Sequence, residues 1–365
     1  MNSHLLKPNQ VIADRYIIEK YHGEGGMQQV YLAQDLTLNK TVALKIPKDK
    51  SGIKRFTQSA VASAKVNHPN VAKALDYIPS SSYEIYIEEF IEGYNLSTIL
   101  VDYFYYFDPH LATRFALQIS RGLAASHHAG VIHRDIKPAN IMVSVDQDKM
   151  NFKITDFGIA KLVEEDFATA HRDSTKQSST FLGAIPYMAP ELIVSTDNAS
   201  LKSDIWSFGA LLYSVVFGRT PFGYGPAAVS GILSGNSPGF TFQFQLKRQF
   251  SYLANELTNV VRSCLIHDAN SRPSADELVT IFNKICFRDL PYKSDFLLRA
   301  GQNGAWWHTQ DNYFVHPESF WGDNSHIQMN MPLYLGIHDG FNRAYPIIPL
   351  KAHFPSLNEL TGLYV

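Results

Sequence analysis

The chain has 365 residues, 45% of them hydrophobic and 18% charged, enough to bury a full core and a fitting size for a soluble two-lobed unit with an appendage. A formal net charge of −2 excludes bulk attraction to nucleic acid or to an anionic membrane. The longest apolar run, residues 210–218, is far short of the ~20 residues of a membrane span; MNSHLLKPNQ at the start lacks a signal-peptide core; and Cys264 and Cys286 alone make no disulfide framework, so a cytoplasmic location is expected.

Residues 16–20 and 29–34 alternate well enough to read as two strands around GEGGMQQ, a glycine-rich hairpin. Gly23 and Gly25 remove Cβ atoms, which would let the backbone close over a ligand such as a phosphate, and Gly26 adds freedom at the tip. Alone, the loop reads equally well as an ordinary turn. TVALKIP, residues 41–47, is a β-branched run with one inward-facing lysine. A lone strand lysine is usually a solvated edge residue, and by itself Lys45 reads no further than that. Residues 53–66 are helical in pattern, and no Asp or Glu occurs anywhere from 51 to 75. SYEIYIEEFIEGYNL, residues 82–96, reads as two strands running into a linker. Leu111, Phe115, Ile119 and Leu123 then recur at helical spacing, which marks a core helix.

That helix delivers HRDIKPAN, residues 133–140, followed by DFG from Asp156. Asp135 can take a hydroxyl proton, Lys137 can meet a phosphate, and Asn140 with Asp156 can hold a hard cation through oxygen. Together they make a phosphoryl-transfer centre, not general acid/base pairing alone. The Ser/Thr-rich stretch from 156 to YMAPE at 187–191 reads mostly as a polar loop.

These motifs, in this order and spacing, resemble the eukaryotic-like (Hanks-type) Ser/Thr protein kinases, in a bacterial-type form, over residues 16–285. The resemblance implies an α+β, bilobal protein kinase fold, with a small β-rich lobe in residues 1–91, a large helical lobe in 92–290 and an aromatic-rich C-terminal extension in 291–365. It implies transfer of the ATP γ-phosphate to protein hydroxyls, with Asp135, Lys137 and Lys45 catalytic and Mg²⁺ on Asn140 and Asp156. ATP would meet Gly23, Gly25, Gly26, Val30, Ala43, Lys45, Glu88, Glu89, Ile91 and Met142, with backbone groups of Glu89 and Ile91 offered to adenine. Lys137 favours Ser/Thr over Tyr substrates. An activating phosphate is expected on Thr180, with Ser179 and Ser178 near enough to be the true site, and Arg134 and Lys161 would receive it. Asp204 is expected to brace the HRD backbone and Arg272 to pair with Glu191.

The departures are as specific as the matches. The family's third loop glycine is Gln28 here, its helix glutamate counts to Ser59, and the threonine of its GTP motif is Ala184. Glu88 stands at a back-pocket position that is normally apolar or threonine. A register error of one would turn it to solvent; in the expected register it replaces the helix glutamate as partner of Lys45, since an unpaired buried carboxylate would be neutralised. Two rivals stand beside the protein kinase reading. A nucleotide-binding pseudokinase or scaffold is suggested by the departures and opposed by the retained Lys45, Asp135, Lys137, Asn140 and Asp156. A small-molecule kinase is opposed by the APE segment and the Ser/Thr-rich loop. The extension is too aromatic for disorder, and its histidines lack metal-ligand spacing. It either packs on the large lobe or forms a small β-rich module, with binding of a partner protein as the sharper alternative. Substrate proteins are expected as partners; nucleic acid and membrane are not.

Overall fold

A computed structural model describes residues 4–24, 28–48, 53–79, 84–157, 179–301, 305–322, 327–338 and 342–355. Six strands, β1 (Val11–Ile12), β2 (Tyr16–Glu24), β3 (Gln28–Asp35), β4 (Lys40–Pro47), β5 (Ala74–Pro79) and β6 (Glu84–Glu89), make an antiparallel sheet in the order β1-β2-β3-β4-β6-β5. Successive side chains point to opposite faces of a strand. One face carries Tyr31, Ala33, Val42, Leu44, Ile46, Ile85 and Ile87 into a core of their own. The same alternation sends Ala43, Lys45, Tyr86 and Glu88 to the other face. Against that face the Ile53–Ala64 helix packs through Phe56 and Ala60 on Tyr86.

The chain leaves this sheet at Gly93, where φ is 148° and a Cβ would lie 2.0 Å from the Val143 carbonyl oxygen. Only glycine lets the backbone pass there. It then forms β7 (Tyr94–Asn95), which pairs with β8 (Ile141–Asp146), itself paired with β9 (Lys149–Ile154). The large lobe is built on the helices Pro109–His128, Leu201–Phe217, Arg248–Cys264 and Ala275–Lys284. Leu201–Phe217 is buried from Ser203 to Phe217 and stops at Gly218, which takes the left-handed conformation at φ 69°; a helix apolar on every side belongs in the middle of a core.

The extension folds as β10 (Tyr292–Ala300), β11 (Trp307–Thr309), β12 (Phe314–Val315), β13 (Pro332–Gly336) and β14 (Ile347–Pro349), an antiparallel sheet in the order β12-β11-β10-β13-β14. Leu297, Leu333, Leu335 and Ile347 fill a core within it. Tyr334 and Ile348, on the opposite face of the same strands, join Tyr292, Leu350 and Phe354 in the core of the large lobe. There Tyr334 meets Phe104 edge to face at 5.2 Å, and Trp321 wedges against Phe250 and Phe244 at 5.3 and 5.0 Å. The Tyr292 hydroxyl donates to Asp108 Oδ2 at 2.8 Å. Asp108 in turn caps the Pro109–His128 helix, its Oδ1 accepting from His110 N at 2.8 Å. Among the described residues no helix is long and apolar enough to cross a membrane.

Candidate active site

Strand register brings the first charged cluster together. Lys45 on β4 stands opposite Tyr86 on β6, and Ala43 stands opposite Glu88, so Lys45 and Glu88 are diagonal neighbours on one face, within reach of long side chains. Lys45 Nζ lies 3.0 Å from Glu88 Oε2 and 2.9 Å from Asp156 Oδ1. Lys45 and Glu88 are both buried. Burial works against the Lys45 ammonium, but Asp156 and Glu88 outweigh it and hold its pKa above the ordinary lysine value. Burial pushes the Glu88 carboxyl upward against the pull of Lys45. At Asp156 burial also acts upward, yet Lys45 and Gln28 prevail and the carboxyl stays below its usual range. One ammonium thus serves two carboxylates, and Asp156 keeps its charge more readily.

Two residues at positions of departure take part. Gln28, buried on β3, donates from Nε2 to Asp156 Oδ1 at 3.0 Å. Ser59, on the Ile53–Ala64 helix, donates from Oγ to the carbonyl of Phe157. The helix is therefore fastened to the backbone beside Asp156 by a hydroxyl and has no carboxylate to offer Lys45. Sequence reading registered Gln28 and Ser59 as losses; their side-chain hydrogen bonds went unseen, because neither partner is near in sequence.

The second cluster is the loop after the Pro109–His128 helix. Asp204, fully buried, accepts from the backbone N–H of His133 at 2.9 Å and of Arg134 at 2.8 Å, and lies 2.9 Å from His127 Nε2. Arg134 sits at φ 68°, a left-handed conformation uncommon outside glycine, and these bonds hold it. His133 is buried and accepts from Asp135 N at 3.2 Å through Nδ1, so its Nε2 carries the proton and donates to Thr155 O at 2.8 Å. That bond ties the loop to the residue preceding Asp156, itself left-handed at φ 59°. Asp135 Oδ2 receives Lys137 Nζ and Asn140 Nδ2, each at 2.8 Å. Farther along, Arg272, 2% exposed, forms a two-point ion pair with Glu191 at 2.8 and 2.9 Å.

Asn140 also gives Nδ2 to the Asp135 carbonyl at 2.8 Å. The oxygens outside these bonds, Asn140 Oδ1 and Asp156 Oδ2, are an amide and a carboxylate donor, the types that Mg²⁺ accepts alongside phosphate oxygens and water. The donor set therefore fits the ion.

Gly23 on β2 pairs with Val30 on β3, which pairs with Lys45, so Gly23, Val30, Ala43 and Lys45 run along adjoining strands. Met142 lies on β8 opposite Asn95. The Glu89 N–H donates to Lys73 O at 2.9 Å, leaving only the carbonyl of that residue to face a base, while its carboxylate is held by Lys153 Nζ at 2.7 and 2.8 Å. Ile91 follows in the linker. Ser179 and Thr180 open a helix, Ser179–Ala184; Gly25, Gly26, Lys161 and Ser178 lie outside the described residues.

Comparison with known proteins agrees in extent. The sequence model of a family described as protein kinase domain matches residues 16–281. The chain is similar to a serine/threonine-protein kinase, pkn2, of Myxococcus xanthus, at 35% identity over 224 residues, 60% of this chain and 26% of the relative. It is similar to serine/threonine-protein kinase PknB of Mycolicibacterium smegmatis, at 33% over 235 residues, 60% of this chain and 35% of the relative. PknB of Mycobacterium tuberculosis gives 33% over 233 residues, again 60% and 35%. The matched part thus spans between a quarter and about a third of the length of these relatives.

Proposed function

The chain belongs to the protein kinase family, and from that premise we propose that it is a cytoplasmic Ser/Thr protein kinase that transfers the γ-phosphate of ATP to protein hydroxyls. The observation that carries this reading is the joint assembly of two clusters, Lys45 with Asp156 and Asp135 with Lys137 and Asn140. Lys45 would hold the phosphates of the nucleotide. Asp135, whose N–H donates to His133 in a loop held by Asp204, would orient the substrate hydroxyl and accept its proton. Lys137, already beside that carboxylate, would steady the transferring group. Mg²⁺ on Asn140 and Asp156 would neutralise charge building on the phosphates. We assign residues 1–91 and 92–290 to the two lobes.

Glu88 bears on the rival reading of a scaffold. The missing helix glutamate, its chief motivation, is matched by a carboxylate reaching Lys45 from the neighbouring strand. The test is transfer from labelled ATP by the whole chain and by Asp135→Asn. Loss of a general base costs about 10² to 10⁴ in rate; nucleotide binding should persist. Equal labelling by both proteins refutes the proposal.

A further inference from the structure

Beside the catalytic loop lies an open groove of about 790 Å³. Its lining includes Lys137, Pro138 and Ala139, with Gly183 and Tyr187 around the entry to the YMAPE motif. Lys137 Nζ is 2.8 Å from Asp135 Oδ2, so a chain lying in the groove passes directly by the candidate base. The lining holds two more cations, Arg219 after the Leu201–Phe217 helix and Lys351 just beyond β14 of the extension. None of the described lining side chains is Asp or Glu.

We infer that this groove takes an acidic protein segment flanking the phosphorylated hydroxyl, and that Lys351, supplied by the C-terminal sheet, sets that preference together with Arg219. The inference rests on the kinase reading and adds the substrate class. Lys351 is held in place: its backbone N–H donates to Tyr103 O at 2.8 Å, and its Nζ donates to Leu100 O at 2.8 Å and Val101 O at 3.2 Å, with the ammonium 5.1 Å from the Tyr105 ring centroid. An ammonium has three donors, and among the described residues two carbonyls satisfy two of them, so one is left for a ligand carboxylate. Asp102, close enough to act on Lys351, is not among the lining side chains. The Arg219 guanidinium reaches the carbonyls of Gly239 and Thr241 at 3.5 and 3.3 Å, long bonds that a carboxylate can compete with. Cations of one sign along a groove favour an acidic partner and reject a basic one more strongly than they raise affinity for a neutral one.

The test reads binding separately from phosphate transfer. Fluorescein-labelled peptides with a central serine and acidic, neutral or basic flanks are titrated with the whole chain by anisotropy, at low and moderate salt. We expect the acidic peptide to bind at least about tenfold more tightly than the basic one, with the ratio shrinking as salt rises. Lys351→Glu should weaken the acidic peptide about five- to tenfold and leave the neutral one within about twofold. Because Lys351 also caps carbonyls, Arg219→Gln supplies an arm from a separate element and should move the ratio in the same direction. Equal binding of acidic and basic peptides, or an unchanged ratio in both variants, overturns the inference. Acid preference without any phosphate transfer would keep the groove's charge preference but overturn its assignment to a substrate, because the kinase reading beneath it would fail.

Discussion

Replacing Glu88 by Gln keeps the shape of the side chain and removes its charge. Lys45 would not be orphaned, because Asp156 Oδ1 stays 2.9 Å away. The loss should therefore fall short of the ~3–5 kcal/mol for breaking a buried ion pair completely. It should be nearer the gap between a charge-assisted and a neutral hydrogen bond, about 1–2 kcal/mol. With one anchor left, Lys45 is drawn to Asp156, a residue assigned to the metal. Positioning of the nucleotide suffers, and 1–2 kcal/mol corresponds to a fall of roughly 5- to 30-fold in kcat/KM for ATP. Stability should move differently. Burial raises the Glu88 pKa, so the ionised carboxylate is paying a desolvation penalty at neutral pH that an amide avoids; Tm should hold or rise. Steady-state kinetics at varied ATP, alongside a thermal melt, separates the two effects. Ser59→Ala, which deletes the bond to the Phe157 carbonyl and leaves Lys45 with both partners, should cost no more than the ~1 kcal/mol of an ordinary hydrogen bond. Full activity in Glu88→Gln, or a loss that merely tracks a lowered Tm, would refute the argument.

At the junction with the extension, burial pushes the Asp108 carboxyl up to about 7. Between roughly pH 4 and pH 7 the folded state then binds the extra proton, and this group's contribution falls as pH rises, by up to ~1.4 kcal/mol per pH unit. Asp108→Asn keeps a good helix cap, so its Tm should gain on wild type across that window and the gain should level off above pH 7; parallel Tm curves would exclude the effect. Thr180 is expected to carry a phosphate in active protein, received by Arg134 and Lys161, and Thr180→Ala should lower activity; an unmodified Thr180 by mass spectrometry together with full activity of the variant removes that expectation. Arg272→Ala strips the Glu191 carboxylate of its two-point partner and should cost ~3–5 kcal/mol, read by denaturant titration; a shift under ~1 kcal/mol would show the pair to be dispensable.

What could be read from the sequence were motifs of short, fixed spacing. HRDIKPAN and DFG stood out by resemblance to one family's order and spacing, and the structure gathers their side chains, with Lys45, into two clusters. Glu88 was legible for a rarer reason: the absence of any carboxylate from 51 to 75 left Lys45 needing a partner, and strand alternation narrowed where one could stand. Gln28 and Ser59 were legible only as departures, since their hydrogen bonds to Asp156 and Phe157 span 128 and 98 residues. The extension was the least legible part. Its central pairing joins Tyr292 to Gly336 and Phe296 to Pro332 across intervening strands, and no local pattern specifies such a register. A still longer separation hid Lys351, which reaches Leu100 across 251 residues.

The sharing of one core between the extension and the large lobe has a consequence for cooperativity. Tyr292, Tyr334, Ile348, Leu350 and Phe354 lie in the same apolar cluster as Phe104, Phe107 and Phe115, so neither partner has a complete interior without the other. Each large side chain withheld from such an interior costs about 1.5–3 kcal/mol, and several are withheld at once if the sheet peels away. Detachment as a hinge or tether would therefore be costly, and the sheet and the helices are expected to melt together. A recombination event that trimmed the chain back to its family-matched portion would yield a sticky, half-finished lobe.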